Sequence, residues 1–99
     1  MTISSEQRRL LKAKAHSLEP VVIIGNKGLT KNVSLETDRS LLAHELIKVR
    51  VNADDRESRQ KMAEELCNDC NAELIQIIGH IAIIYRKSEG KKQKTEKPQ

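Results

Sequence analysis

Four β-branched residues in a row, Val21-Val22-Ile23-Ile24, stand between Pro20 and Gly25, and this bracket constrains the chain more than any other feature. Branching at Cβ favours extended backbone over helix. Pro20 stops any helix arriving from the N-terminal side, and Gly25 frees the chain to turn at the other end. A wholly apolar run of this kind predicts a central strand covered on both faces. The rest of the chain must then supply two apolar layers around it.

Those layers have to be aliphatic, because the 99 residues include one aromatic, Tyr85, and neither Phe nor Trp. A chain of this length makes one domain and buries roughly two thirds of the surface it would expose unfolded. Upstream of the strand, Ser4 to Gln7 resembles a capping box, and Leu11, Lys14/Ala15 and Leu18 follow at helical spacing. The pattern predicts a first helix to about His16, with Arg8, Arg9 and Lys12 on its other faces.

Downstream, a second helix is expected from near Thr30, with Val33, Thr37, Leu41 and His44 on one stripe and Leu29, Leu35 and Leu42 nearby. Leu46 to Val51 alternates, placing Ile47, Val49 and Val51 on one face and Lys48 and Arg50 on the other. That predicts a half-buried strand with a basic outer face. Asp54 or Asp55 suits the cap of a third helix, Met62, Ala63, Leu66, Cys67 and Cys70 form its stripe, and Asn71 suits its end. Leu74–Ile78 and Ile81–Arg86 flank Gly79-His80, a two-residue loop with glycine first, as a type II′ turn requires.

The expected order is therefore α-β-α-β-α-β-β, a single compact α/β domain over residues 1–87. Crossovers through helices favour parallel neighbours and the final hairpin must be antiparallel, giving a four-stranded mixed sheet of open strand order. Residues 88–99 are rich in lysine, lack aliphatic side chains, and are expected to be a disordered tail.

The net charge of +4 suits a polyanionic partner, and its distribution says more than its total. Residues 1–50 hold nine Lys and Arg against five Asp and Glu, residues 51–87 five against seven, and residues 88–99 four against two. Positive charge gathers in the first half and the tail. No stretch reaches the eighteen or so apolar residues of a membrane span, and the polar start does not resemble a secretory signal. Two cysteines three residues apart make no disulfide framework, so a reduced, cytoplasmic protein is expected.

Gly25-Asn26-Lys27-Gly28 lies between the apolar strand and a helix start. Its glycines let the backbone approach a ligand closely, and the helix behind presents free amides and a positive dipole end that suit phosphate. Lys27 and Lys31 add full charges. KH domains clamp a nucleic-acid backbone with a comparable GxxG loop; by itself the motif is equally an ordinary strand-to-helix turn. It is neither a P-loop nor a dinucleotide fingerprint, since both spacings are absent. Arg8, Arg9, Lys12 and Lys14 form a second basic group, otherwise a solvated helix face. With a single tyrosine, the chain cannot stack bases on several aromatics as RRM and cold-shock sheets do.

Cys67-Asn68-Asp69-Cys70 falls near the end of the third helix, where dipole and Asp69 both oppose a thiolate. It offers two zinc ligands and no further pair. Core packing explains it better, as helix-start capping explains Asp54, Asp55 and Glu57. His16 and His44 suit helix C-termini. No catalytic residues, metal, cofactor or small-molecule substrate is expected.

Several of these features coincide in one family. Pro20 to Thr30, then His44-Glu45-Leu46-Ile47-Lys48-Val49, then Ile78-Gly79 leading to Ile84-Tyr85-Arg86, together resemble a CRM domain (chloroplast RNA splicing and ribosome maturation), above all the stand-alone bacterial YhbY family. The resemblance covers about residues 4–87. It implies a fold similar to the C-terminal domain of a bacterial translation initiation factor, without enzymatic activity. It also implies RNA binding through Gly25, Asn26, Lys27 and Gly28 with neighbouring basic residues. Many family loops place the basic residue directly after the first glycine; here Asn26 stands there and Lys27 follows. Stand-alone members are associated with precursors of the large ribosomal subunit, so the leading expectation is a monomeric assembly factor binding ribosomal RNA. A translation-associated factor on mature ribosomes or other RNA, and a thiol redox or metal protein using the CxxC pair, are the alternatives.

Overall fold

The computed structural model describes residues 3–87. In chain order these form α1 (Ser5–Ala15), β1 (Pro20–Ile24), α2 (Lys31–His44), β2 (Leu46–Val51), α3 (Arg56–Cys70), β3 (Glu73–Ile78) and β4 (Ile81–Tyr85). The tail expected at residues 88–99, and with it the boundary at 87, lies outside the described residues.

Local chemistry sets the helix ends. Ser4 Oγ accepts the Gln7 amide at 3.0 Å and Thr30 Oγ1 accepts that of Val33 at 3.2 Å. The Asp55 carboxylate takes both the amide and the hydroxyl of Ser58, at 2.9 and 2.8 Å. Each such cap is worth about 1 kcal/mol. Asn71 closes α3 in the left-handed region at φ 57°, and the Ala72 amide then donates to the Cys67 carbonyl at 2.9 Å. Gly79 takes φ 58° while His80 stays out of the positive-φ region, the sign pattern of the expected type II′ turn.

The strands lie in the order β1-β2-β4-β3, with β1 parallel to β2 and the other pairs antiparallel. On one face Leu41 of α2 and Ala63, Leu66, Cys67 and Cys70 of α3 pack onto Val22, Ile24, Val49, Ile84 and their neighbours. On the other, Leu11 and Ala15 of α1 pack onto Leu46, Ile75, Ile83 and Tyr85. Val33, Thr37 and Leu41 face inward on α2 as their spacing predicts, whereas Leu35, Leu42 and His44 are exposed.

The reading of Val21–Ile24 as a strand covered on both faces is overturned. β1 is an edge strand: Val22 and Ile24 are buried, but Val21 is 46% and Ile23 57% exposed. The reason is geometric. One helix about 10 Å wide covers two to three strands spaced about 4.8 Å apart, so a single helix cannot roof a four-stranded sheet. α1 is moreover held toward the opposite edge, where Arg8 Nη1 donates to the carbonyls of Leu74 and Ile75, each at 3.0 Å. Two helices roof the other face. The strands covered on both sides over the part of their length that α1 reaches are β2 and β4, in which Leu46 and Ile47, and Ala82 through Tyr85, are buried in succession, while Arg50 and Ile81 at their other end are not.

Both sheet edges carry irregularities that discourage further pairing. The register shifts between Pro20 and Val22 on β1, and between Leu74 and Gln76 on β3. At the far end of β4, Arg86 donates to the Asp38 carboxylate and the Cys70 carbonyl, both at 2.7 Å, tying the last strand to α2 and α3.

Candidate nucleic-acid interface

Because β1 and β2 are parallel, their carboxyl ends emerge side by side. The Asn52 amide donates to the Ile24 carbonyl at 3.0 Å, extending the ladder to the rim. The Val51 amide donates to the His80 carbonyl at 2.7 Å, which brings the β3–β4 turn to the same end. Three connections thus meet there: the loop from Gly25 to Thr30, the segment from Asn52 to Asp55, and Gly79-His80. Arg59 fastens two of them. Its Nη1 donates to the carbonyls of Ala53 and Asp54, at 2.9 and 3.0 Å, and lies 3.3 Å from His80 Nε2.

Gly25-Asn26-Lys27-Gly28 forms a turn closed by the Gly28 amide donating to the Gly25 carbonyl at 3.0 Å. Asn26 and Lys27 are exposed at its tip. Gly28 has φ 78°, a conformation that glycine adopts without penalty. The glycines have different surroundings. A Cβ at Gly25 would meet nothing within 4 Å, whereas one at Gly28 would reach Met62 Cε of α3 at 3.9 Å. Gly28 therefore seats the loop against the helix layer and Gly25 leaves its upper side open.

Behind the turn, the Thr30 side chain occupies the Val33 amide, and the amides of Lys31 and Asn32 have no intrahelical acceptor. Lys31 is exposed in that first turn. Together these groups offer an anionic backbone an open approach beside Gly25, free amides and the exposed ammonium groups of Lys27 and Lys31.

The first-helix basic residues divide. Arg9, Lys12 and Lys14 are exposed. Arg8 is partly buried, and one nitrogen of its guanidinium is occupied by the β3 carbonyls. Lys12 lines a groove of about 490 Å³ together with His16, Lys48, Gln76, Ile78 and Ile81. Lys14 borders a separate hollow of about 330 Å³ beside Leu18, Val21 and Leu46. Of these side chains, Lys12 thus overhangs the sheet face that runs out to the GxxG loop, while Lys14 sits by the opposite end of β2.

Two further positive groups lie on that face, Lys48 and Arg50, which the motifs alone did not single out for binding. Their signal was the alternation of β2, which placed them on its outer side without saying what lay beside them. Lys48 Nζ donates to the Leu18 carbonyl at 2.9 Å, and Arg50 Nε donates to Asn52 Oδ1 at 3.2 Å.

The thiols lie elsewhere. Cys67 and Cys70 are free and buried in the α2/α3 layer. Burial, reinforced by Cys70 and then Glu73 and Glu64, pushes the Cys67 thiol up to about 12. Burial also raises that of Cys70, with Asp38 adding to it, and Cys70 Sγ donates to the Ser34 carbonyl at 3.5 Å. A redox or metal site needs a stabilised thiolate, and this environment opposes one. Among the described residues, no three His, Cys, Asp or Glu side chains come together to hold a metal, and no helix is long and apolar enough to cross a membrane.

Comparison with known proteins agrees with this fold. A protein from Haemophilus influenzae named an RNA-binding protein is 44% identical over 88 residues, covering 89% of each chain. YqeI of Bacillus subtilis, named a probable RNA-binding protein, is 34% identical over 91 residues, which are 92% of this chain and 95% of that one. A solution structure from Staphylococcus aureus, described as that of a candidate RNA-binding protein, superposes with a TM-score of 0.80 at 34% identity, over 89% of this chain and 92% of the other. The model of the CRS1 / YhbY (CRM) domain matches residues 3–86, almost the whole described chain, and the protein belongs to that family.

Proposed function

We propose that this protein is a non-enzymatic RNA-binding module that docks as a monomer on ribosomal RNA of the large-subunit precursor in the cytoplasm. The observation that carries the reading is the meeting of Gly25-Asn26-Lys27-Gly28 with the open, basic face of the sheet. A phosphate chain gripped at the turn, by Lys27, Lys31 and the free amides, is led onto that face toward Lys48, Arg50 and Lys12. Arg9 and Lys14 extend the positive field along α1, and Arg8 contributes the nitrogens that its structural bonds leave over. Backbone contacts of this kind supply affinity and register rather than sequence choice. The relatives' names support RNA as the ligand, and the resemblance to stand-alone members supports the precursor of the large subunit.

A low-salt sucrose gradient of cell lysate tests this. The protein is expected to co-migrate with immature large-subunit particles and to leave them as salt is raised, because released counterions drive phosphate binding. Migration at the top of the gradient under conditions that preserve weak complexes would remove ribosomal docking from the proposal.

A further inference from the structure

The sheet face that α1 leaves bare has an arrangement of its own. The register sets Ile23 beside Arg50, Arg50 beside Ile81, and Ile81 beside Ile78. One row therefore crosses all four strands, from one edge of the sheet to the other. Ile23 and Ile78 are each 57% exposed, Arg50 is exposed and Ile81 partly so. The next row, nearer α1, contains Lys48, Ile83 and Gln76, and Lys12 and His16 overhang it. Beyond the first row, at the carboxyl end of β1, comes Gly25.

Large aliphatic side chains in water at such exposure are ordinary when scattered and informative when contiguous. Here they are contiguous, and cationic groups both interrupt and border them. A purely apolar partner would leave the Arg50 guanidinium desolvated and unpaired, and a duplex would present phosphates and no flat apolar surface to the isoleucines. Unpaired nucleotides satisfy both: each has a flat π face for Ile23, Ile81 and Ile78 and a phosphate for Lys48 and Lys12. Arg50 serves twice, since its guanidinium is planar as well as charged, and the bond to Asn52 Oδ1 helps to fix that plane.

We propose that the row Ile23–Arg50–Ile81–Ile78 is a base platform, on which two or three unpaired nucleotides of the bound RNA lie after leaving the GxxG turn. It does without aromatic rings, Tyr85 being the chain's sole aromatic and buried under α1. The inference rests on the RNA-binding reading and adds to it that the contacted segment is single-stranded and is held by its bases as well as its phosphates.

Binding is measured at low salt to three probes: oligouridine of about ten nucleotides, an abasic ribose-phosphate chain of equal length, and an RNA duplex of similar charge. The wild type is expected to prefer oligouridine to the abasic chain by about fivefold or more, as base stacking adds to backbone attraction. Arg50→Lys, which keeps the charge and loses the plane, and Ile23→Ser with Ile78→Ser should each erase most of that preference. The double isoleucine variant should leave duplex binding within about twofold, and Leu42→Ser, at an exposed leucine on the opposite layer, should change nothing. Equal affinity of the wild type for oligouridine and the abasic chain overturns the platform while leaving RNA binding standing, as does a preference that survives the substitutions. Failure to bind any of the three overturns both readings. All substituted positions are exposed, and coincident thermal unfolding curves confirm that the variants fold.

Discussion

Arg8 on the first helix donates to the main-chain carbonyl of Ile75, 67 residues further along the chain and 3.0 Å away. The same nitrogen serves the carbonyl of Leu74. A surface cation is thereby converted into a fastener between α1 and the edge strand β3, at the point where the strand's register shifts. Hydrogen bonds from a charged donor are worth roughly 1.5–3 kcal/mol where partly buried, so Arg8→Ala should lower unfolding stability by about 1–3 kcal/mol in a urea titration. It should also free an edge for pairing and raise the tendency to self-associate on gel filtration. An unchanged denaturation midpoint would show that the bond is decorative.

Lys27 stands exposed at the tip of the GxxG turn, and its side chain makes no hydrogen bond or ion pair among the described residues. Reversing its charge should therefore act on binding alone. Lys27→Glu is expected to weaken RNA affinity at least several-fold and to flatten the dependence of log affinity on log salt by about one unit, one phosphate contact being lost. The melting temperature should not move. Intact affinity would take the loop out of the binding surface.

The two glycines of the turn should answer differently to the same substitution. Gly28 has φ 78°, and placing alanine there costs roughly 1 kcal/mol of backbone strain, although Met62 at 3.9 Å leaves room for the methyl. Gly25 is not in the positive-φ region and its Cβ position is open. Gly25→Ala should be neutral in thermal unfolding, or slightly stabilising through the unfolded chain, while Gly28→Ala lowers the midpoint. Equal effects would contradict this assignment of roles.

Cys67 supplies a pH test. Burial raises its thiol from the ordinary value of 9.0 to about 12. The native state therefore holds that proton more tightly than the unfolded state. The corresponding stability is complete below pH 9 and is lost as pH rises toward 12. Between about pH 8 and pH 10.5 the wild type should lose more unfolding stability than Cys67→Ala does. At pH 8 a thiol reagent should label the native protein only as fast as it opens. Rapid labelling of the folded protein would place the thiol at the surface.

Much of the architecture was legible because its causes are local. Ser4, Thr30, Asp55 and Asn71 end their helices through bonds to residues at most four positions away, and the period of Leu46–Val51 follows from the pleat of a single strand. The position of β1 was not legible. Val21–Ile24 has the composition of a buried strand, and its exposure depends on where α1 is pinned, which Arg8 and the carbonyls of β3 decide from opposite ends of the chain. The same holds for the candidate site. The GxxG turn and its lysine could be read from neighbours in sequence. That Arg50 lies between Ile23 and Ile81 follows only from the strand order, which no periodicity encodes. The basic helix shows the mixture well: Arg8 looked like its neighbours Arg9 and Lys12, and its reach to Leu74 sets it apart.

The convergence of three connections at one end of the sheet has a practical corollary. Residues from the second, third and last quarters of the chain become neighbours only after the parallel β1–β2 pair and the β3–β4 hairpin have formed. A peptide cut from Pro20 to Thr30 would keep every letter of the motif and lose Arg50, His80 and the helix head that surround it. On the proposed reading, recognition is a property of the completed fold, so a lesion that melts the domain should silence it, and a fragment should not compete with the intact protein for its target.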